Sequence, residues 1–136
     1  MKGNFGWPTL FDIERLIKKG RSENLEYFES LHDLESVLQT LCAFLNHKNK
    51  SGGAILIGVT VDGKMVGVTE QPKPEQDRII LEKFSPNILS TWWTIPFEDK
   101  YIIYIDVPGA PYNNAEQYKY NGCGYKRIGT STILLN

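Results

Sequence analysis

The sequence predicts an α+β fold, namely a mixed, mostly antiparallel sheet with hairpins and two to three helices packed on it. Three observations predict this class: helical and strand-like segments alternate, two-residue turn signals join strand-like runs, and one segment carries the apolar stripe of an amphipathic helix. This order favours helices on one face of the sheet over a doubly wound parallel fold. With 136 residues, 41% of them hydrophobic, the chain is expected to form one domain over residues 1–136.

The helices are predicted from apolar spacing and from residues that start or stop a helix. The clearest covers residues 33–46, where one face carries Leu34, Val37, Leu38, Leu41 and Leu45. A shorter helix is predicted to begin near Pro8 and to end at Gly20. A further helix is expected over residues 74–84, with Pro74 near its start and Pro86 beyond its end.

Runs of β-branched and aromatic residues between turn signals predict the strands. The run AILIGVTV, residues 54–61, is expected to be a central strand that leads into the hairpin turn Asp62-Gly63. Further strands are predicted at residues 24–29, 64–68, 90–97, 101–107, 118–120 and 125–128, the last two joined by Asn121-Gly122. The final segment, GTSTILLN, is expected to pack as a tail or to continue beyond the domain.

The charge balance sets a condition on any nucleic-acid function. The net charge is −1 and the pI is 6.1, so a nucleic-acid surface has to come from local clusters of cations. The chain contains three clusters: Lys18, Lys19 and Arg21; His47, Lys48 and Lys50; and Lys119, Lys126 and Arg127. Each cluster taken alone is more typical of an ordinary solvated face, so binding requires several of them on one surface.

The sequence favours a cytoplasmic protein, or a nuclear one in a eukaryote. No apolar run approaches the roughly 20 residues that span a bilayer, and the N-terminus lacks the pattern of a signal peptide. We therefore expect no membrane partner. Cys42 and Cys123 have no metal-ligand spacing and are expected to be reduced thiols.

Carboxylates are dense around the first predicted strand. Glu26 would project to the face opposite Leu25 and Tyr27, and Glu23 lies just before it. Carboxylates that converge from strand ends hold hard cations, which activate water and stabilise a phosphoryl transition state. Asp62, at the predicted turn, is a further carboxylate for such a site. The alternative is that these residues are ordinary solvated acids.

Several segments in order resemble the Schlafen/AlbA-type domain. They are GRSENLEYFESL, LCAFLN, SGG, ILIGVTVDGKMVGV and YKRIGTST, and together they extend over nearly the whole chain. No single segment is specific, but their order and spacing are. The resemblance implies a nucleic-acid-binding module, which in animal Schlafens forms a paired clamp that cuts structured RNA with a divalent metal.

Only part of the Schlafen nuclease site is matched by residues of this sequence. Schlafen nucleases use two glutamates that flank the first strand and one aspartate after the Gly-Val strand. The second glutamate is matched by Glu26, whereas the first falls on Arg21. The aspartate falls on Thr60 or Val61, next to Asp62. The predicted catalytic set is therefore Glu26, Glu23 and Asp62, with Glu26 and Asp62 as ligands of Mg²⁺ or Mn²⁺ if the domain is catalytic.

The resulting functional prediction is an RNA- or DNA-binding domain with a degraded catalytic site. The predicted nucleic-acid contacts are Lys48, Lys50, Lys126, Arg127 and Arg21. We expect a subunit of a larger assembly, either a homodimer or a complex with a Schlafen-like partner. Two alternatives remain open: a metal-dependent endoribonuclease that acts on structured RNA such as tRNA, and a protein-interaction module.

Overall fold

The computed structural model describes residues 8–46, 52–72, 82–86, 91–107 and 118–135. They form two α-helices, one short 3₁₀ turn at Leu31–Asp33 and eight strands. The helices are α1 (Leu10–Lys19) and α2 (Leu34–Leu45). The strands are β1 (Leu25–Phe28), β2 (Gly53–Ile57), β3 (Phe84–Ser85), β4 (Thr91–Phe97), β5 (Lys100–Val107), β6 (Lys119–Tyr120), β7 (Cys123–Ile128) and β8 (Ser131–Leu135). The predicted α+β class is confirmed.

Four strands form the first sheet, in the order β1-β2-β5-β4. β1 and β2 are parallel, and the other two pairings are antiparallel. The apolar residues of β2 that follow Gly53 are all buried, as expected of a central strand. The predicted hairpin of residues 90–107 is confirmed as β4 and β5, joined by the two-residue turn Glu98-Asp99.

The other four strands form a second, antiparallel sheet in the order β3-β6-β7-β8. Asn121 and Gly122 both have positive φ, 54° and 82°, in the turn between β6 and β7. Asn-Gly is the favoured pair for such a turn, since both central residues need positive φ. The C-terminal tail is itself strand β8, so the strands make two sheets where the sequence predicted one.

α2 lies between the two sheets. Its buried residues include Val37, Leu41 and Phe44, and they pack with side chains from β2, β5 and β6 in one apolar core. α1 packs on the other face of the first sheet, where Ile13 is fully buried against a second core. The expectation of helices on one face is therefore corrected, because the first sheet is covered on both faces. Among the described residues, no helix is long and apolar enough to cross a membrane.

Two further expectations need comment. The segment predicted as a strand at residues 64–68 makes only isolated bridges, Val59 with Met65 and Val68 with Tyr101. The helix predicted over residues 74–84 lies largely outside the described residues, and Phe84 belongs to a strand. The Asp62-Gly63 turn is present, with the Gly63 N–H donating to the carbonyl oxygen of Thr60.

Candidate nucleic-acid interface

Glu26 is the centre of a buried polar cluster where β1 meets the β7–β8 hairpin. Its side chain is 7% exposed and lies on the α2 side of the first sheet, whereas Leu25 and Tyr27 pack on the α1 side. Oε2 accepts from Arg21 Nε at 2.6 Å and from the Tyr27 N–H at 2.9 Å. Oε1 accepts from Arg21 Nη2 at 3.1 Å and lies 3.1 Å from Arg127 Nη1. These four contacts match the roughly four acceptor positions of a carboxylate.

Arg127 supports the cluster from inside the protein. Its side chain is 1% exposed, and its guanidinium lies 5.2 Å from the ring centre of Phe44. It donates to the carbonyl oxygens of Ser22 at 2.8 Å and Thr130 at 3.2 Å, and to the Thr132 hydroxyl at 3.1 Å. Burial lowers the pKa of Arg127, and the charge of Glu26 opposes this effect. The residue thereby ties the second sheet to the first.

Arg21 completes the cluster on the solvent side. Its side chain is 28% exposed and grips Glu26 with Nε and Nη2, the two-pronged geometry that makes Arg–carboxylate pairs strong. Nη2 also lies 3.4 Å from the carbonyl oxygen of Thr130 at the hairpin tip. The hydrogen bond to Glu26 raises the pKa of Arg21. Arg21 is therefore a fixed cation at the edge of the protein.

The structure brings the other predicted acids only partly to this cluster. Glu23 is exposed in the turn before β1 and lies within electrostatic reach of Arg127. Asp62 lies elsewhere, in a turn where Gly63 approaches the Ile17 side chain of α1, on the opposite side of the first sheet from Glu26. The Thr60 hydroxyl hydrogen-bonds to Asp62 and lowers the pKa of its carboxyl. Within the described ranges, no group of three or more His, Cys, Asp or Glu residues is placed to hold a metal.

Lys126 lies on a different surface from Arg127, although the two are adjacent in β7. Side chains alternate along a strand, so Lys126 projects from the outer face of the second sheet while Arg127 faces α2. The Lys119–Gly124 register places Lys119 on the same outer face, and both lysines are exposed. Lys48 and Lys50, the other two predicted contacts, lie outside the described residues.

Asn46 is a structural residue of this region that sequence reasoning missed. It follows α2, and its Nδ2 donates to the carbonyl oxygens of Tyr118 at 3.0 Å and Tyr125 at 2.8 Å. Its Oδ1 accepts from the Tyr118 N–H at 2.7 Å. A polar residue directly after the apolar helix stripe was the available signal, and LCAFLN contains it. Asn46 thus joins α2 to strands on both sides of the Asn121-Gly122 turn.

Comparison with known proteins identifies the family. The Schlafen, AlbA_2 family profile matches residues 21–136, which include every described strand. No curated protein matches the chain significantly.

Solved structures that share the fold include two proteins from different organisms. The DIP2311 protein of Corynebacterium diphtheriae matches over 94% of this chain with a TM-score of 0.62 and 14% identity, although the chain spans only 26% of that protein. The N-terminal domain of a protein related to the ATP-dependent DNA helicase RecG, from Nitrosomonas europaea, matches over 90% of both chains with a TM-score of 0.54 and 21% identity. The match of the family profile, with a fold that agrees, places this chain in the Schlafen, AlbA_2 family.

Proposed function

We propose that this domain binds RNA or DNA through the phosphate backbone and acts as a binding subunit without robust catalysis of its own. The observation that carries the proposal is the outer face of the second sheet. Lys119 and Lys126 both project from it, and none of the strands β3, β6, β7 and β8 contains Asp or Glu. In a chain with a net charge of −1, an acid-free sheet with two exposed lysines is a local basic surface.

The geometry of this face suits an extended, charged polymer. Ser85 and Gly124, beside Lys119, are small. Lys126 is paired with Ile133 and followed on the same face by Ile128, and both isoleucines are exposed, so the face combines two lysines with apolar side chains. The lysines occupy diagonal positions on the neighbouring strands β6 and β7. Residues in diagonal positions of a sheet lie roughly 7–8 Å apart. Contacts of this type neutralise phosphates without reading sequence. The RecG-related protein, whose N-terminal domain shares this fold, adds a link to DNA.

The environment of Glu26 supports binding over catalysis. A carboxylate that ligates a metal needs free lone pairs and tolerable local charge. Glu26 already accepts three hydrogen bonds and forms an ion pair with Arg127, and two of its partners are guanidiniums that would repel a divalent cation. Metal-dependent cleavage of structured RNA, with Glu26, Glu23 and Asp62 as its acids, is therefore the less favoured function.

Fluorescence anisotropy with labelled single-stranded RNA, single-stranded DNA and duplex DNA, titrated from low to moderate KCl, tests the proposal. Binding should weaken linearly with the logarithm of salt concentration, since each neutralised phosphate releases counterions. The double variant Lys119→Gln/Lys126→Gln should flatten this line by about 1.4 units on a single strand, or about 0.7 per lysine. The matched control is Lys64→Gln/Lys100→Gln, which removes two exposed lysines outside the second sheet.

Three results would contradict the proposal. The first is no binding to any of the three nucleic acids at low salt. The second is an equal change of slope in the two double variants, which would mean that net charge rather than this face matters. The third is Mg²⁺- or Mn²⁺-dependent cleavage of tRNA that Glu26→Gln abolishes, which would restore the nuclease function. The predicted homodimer or Schlafen-like partner stays a prediction, which light scattering of the purified chain would measure.

A further inference from the structure

The two described sheets have four edge strands, and three of them carry features that oppose pairing with another chain. An edge strand presents unpaired N–H and C=O groups, and proteins protect it by short length, by proline or by an inward-pointing charge. β3 has two residues, β4 contains Pro96, and β1 directs the charge of Glu26 into the protein. These three edges are therefore poor sites for the addition of a further strand.

The fourth edge strand, β8, has none of these features. Its five residues, STILL, include no charged residue, proline or glycine, and its unbroken register with β7 leaves no bulge. Among the described strands, only β7 pairs with it. Ile133 is 39% exposed and Leu134 is 52% exposed. Because successive side chains point to opposite faces of a strand, this edge has an exposed apolar side chain on each face.

A second copy of the same strand is the occupant that these features favour. Two copies related by a two-fold axis present the same surface to each other, and their strands run antiparallel. The register in which all five residues find a partner is centred on Ile133, which then lies opposite its own copy, while Thr132 lies opposite Leu134. Since β8 is neutral, no like charges meet in this pairing. The association ends at two copies because each β8 edge is then occupied.

We propose that two copies of this chain associate by antiparallel pairing of their β8 strands, centred on Ile133, and so form one continuous eight-stranded sheet. The two-fold axis is perpendicular to such a sheet, so the outer faces of both copies lie on the same side. Lys119 and Lys126 of each copy then line a single face. Neighbouring strands lie about 4.8 Å apart, so three spacings, roughly 14 Å, separate the two Lys126 residues, and salt screens their repulsion.

The pairing itself does not depend on nucleic acid, whereas the use of the four lysines as one binding face rests on the proposed function. The dimer would double the number of lysines that a single nucleic-acid strand meets on one surface. It thereby gives β8, which lies beside the lysine-bearing strand β7, a role in the proposed binding.

Sedimentation equilibrium of the full chain over a range of concentrations tests the pairing. One strand per copy makes a small contact, so we expect reversible association in which the mass rises with concentration to twice that of the chain. Ile133→Lys places like charges opposite each other and should keep the chain monomeric. The matched control, Ile128→Lys, adds the same charge at an exposed isoleucine of the same outer face, away from the edge, and should still dimerise.

Three sedimentation results would overturn the pairing. They are a monomer at every concentration, an assembly larger than two copies, and an equal effect of the two lysine substitutions.

A cysteine at the centre of the pairing tests the register directly. In a Cys123→Ser background, which removes the exposed native thiol, Ile133→Cys should form a disulfide-linked dimer under mild oxidation. The Cα atoms of directly opposite residues lie about 4.5–5.5 Å apart, within the range that a disulfide spans. Ile128→Cys in the same background should cross-link much more slowly, and equal rates would contradict pairing at Ile133.

The linked dimer also separates the pairing from nucleic-acid binding. At protein concentrations too low for reversible association, the oxidised Ile133→Cys dimer is compared with its reduced monomer on a single strand that spans both pairs of lysines. The salt slope of the dimer should be steeper by about 1.4 units, or about 0.7 for each of the two further lysines. Equal slopes would refute the shared lysine face but not the β8 pairing. If neither form binds, the proposed function fails, while the sedimentation and cross-linking results still decide the pairing.

Discussion

At the scale of single residues, the surroundings of Glu26 decide what its carboxylate does. In an open cluster of acids the same side chain would bind a cation. Here its negative charge is opposed to the positive charges of Arg21 and Arg127. Arg127 is the more dependent partner because it is nearly fully buried. A buried charge that loses its counter-charge is strongly destabilising, whereas replacement of a whole buried pair by apolar residues is often tolerated.

We therefore expect strong coupling between Glu26 and Arg127 in folding stability. Glu26→Leu alone should lower the free energy of unfolding by about 3–5 kcal/mol, because it leaves Arg127 buried without its counter-charge. The double variant Glu26→Leu/Arg127→Met should be more stable than Glu26→Leu alone. Urea denaturation of the wild type, both single variants and the double variant gives the coupling energy between the two residues. If the losses in the free energy of unfolding simply add in the double variant, the coupling is contradicted.

Asn46 gives a second prediction at this scale. Asn46→Ala removes the acceptor of the Tyr118 N–H and the amide donor to the Tyr118 and Tyr125 carbonyl groups, of which the Tyr118 carbonyl keeps the Cys42 thiol as a donor. Each buried group left without a partner costs about 1–3 kcal/mol, so we expect a loss of roughly 3 kcal/mol in the free energy of unfolding. Ser36→Ala, an exposed position on α2, is the control and should change it by less than about 0.5 kcal/mol. An equal effect of the two substitutions would mean that the Asn46 contacts contribute little.

At the scale of elements, two-residue turns fix the registers of the hairpins. Three of them use residues in the left-handed region: Glu98 between β4 and β5, Asn121-Gly122 between β6 and β7, and Gly129 between β7 and β8. Glycine and asparagine adopt this conformation readily, whereas glutamate does not. Glu98, with φ of 56°, is therefore the strained residue of the three turns.

Glu98→Gly should raise the stability of the protein. A non-glycine residue in the left-handed region costs about 1–2 kcal/mol, and the greater flexibility of glycine in the unfolded chain costs about 0.5–1 kcal/mol in return. We expect a net gain of roughly 0.5 kcal/mol in the free energy of unfolding, measured by urea denaturation. Asp99→Gly, next to it but without positive φ, should lower stability instead. A loss in both variants would contradict strain at Glu98.

The sequence predicted most of these elements but not how they combine. α2 was predictable from its apolar stripe, and the β6–β7 turn from Asn121-Gly122, because both signals are local. Residues 64–68 read as a regular strand, yet the Gly58 carbonyl accepts from the N–H groups of both Val66 and Gly67, which disrupts regular pairing. The division into two sheets was not predictable, since alternation along a strand reveals its faces and not its neighbours.

At the scale of the whole molecule, the candidate site depends on contacts between distant parts of the chain. The sequence identified Glu26 and Arg127 separately, but not that they form an ion pair. Arg127 contacts the carbonyl oxygen of Ser22, which is 105 residues away in the sequence, and Arg21 contacts that of Thr130, which is 109 residues away. α1 likewise precedes the family match, which starts at residue 21, yet it covers one face of the first sheet. Only the folded chain reveals these relations.

The two cores of the molecule also make its stability sensitive to alkaline pH. Burial raises the pKa of the Cys42 thiol and of the Tyr104 hydroxyl, in each case to about 12, from ordinary values of 9.0 and 10.0. Cys42 lies in the core around α2, and Tyr104 in the core under α1. Both groups hold their protons more tightly in the folded protein than in the unfolded chain.

The sign of the pH effect follows from this difference in proton binding. The contribution of the two groups is fully present below about pH 9, and it falls as pH rises towards 12, because the unfolded chain loses protons that the folded protein keeps. Each group lowers the free energy of unfolding by up to about 1.4 kcal/mol per pH unit within its own window. Urea denaturation between pH 7 and 11 should therefore show a constant region followed by a decline.

Tyr104→Phe isolates one of the two contributions. The ring and its 5.5 Å contact with Trp93 are kept, and only the ionisable hydroxyl is lost. Above about pH 10 the variant should lose stability less steeply than the wild type, while below that pH the difference between the two should be constant. Since the expected effect is a change of slope, a merely weaker core, which shifts the whole curve, cannot imitate it. Parallel curves from pH 7 to 11 would mean that burial of Tyr104 does not control its ionisation.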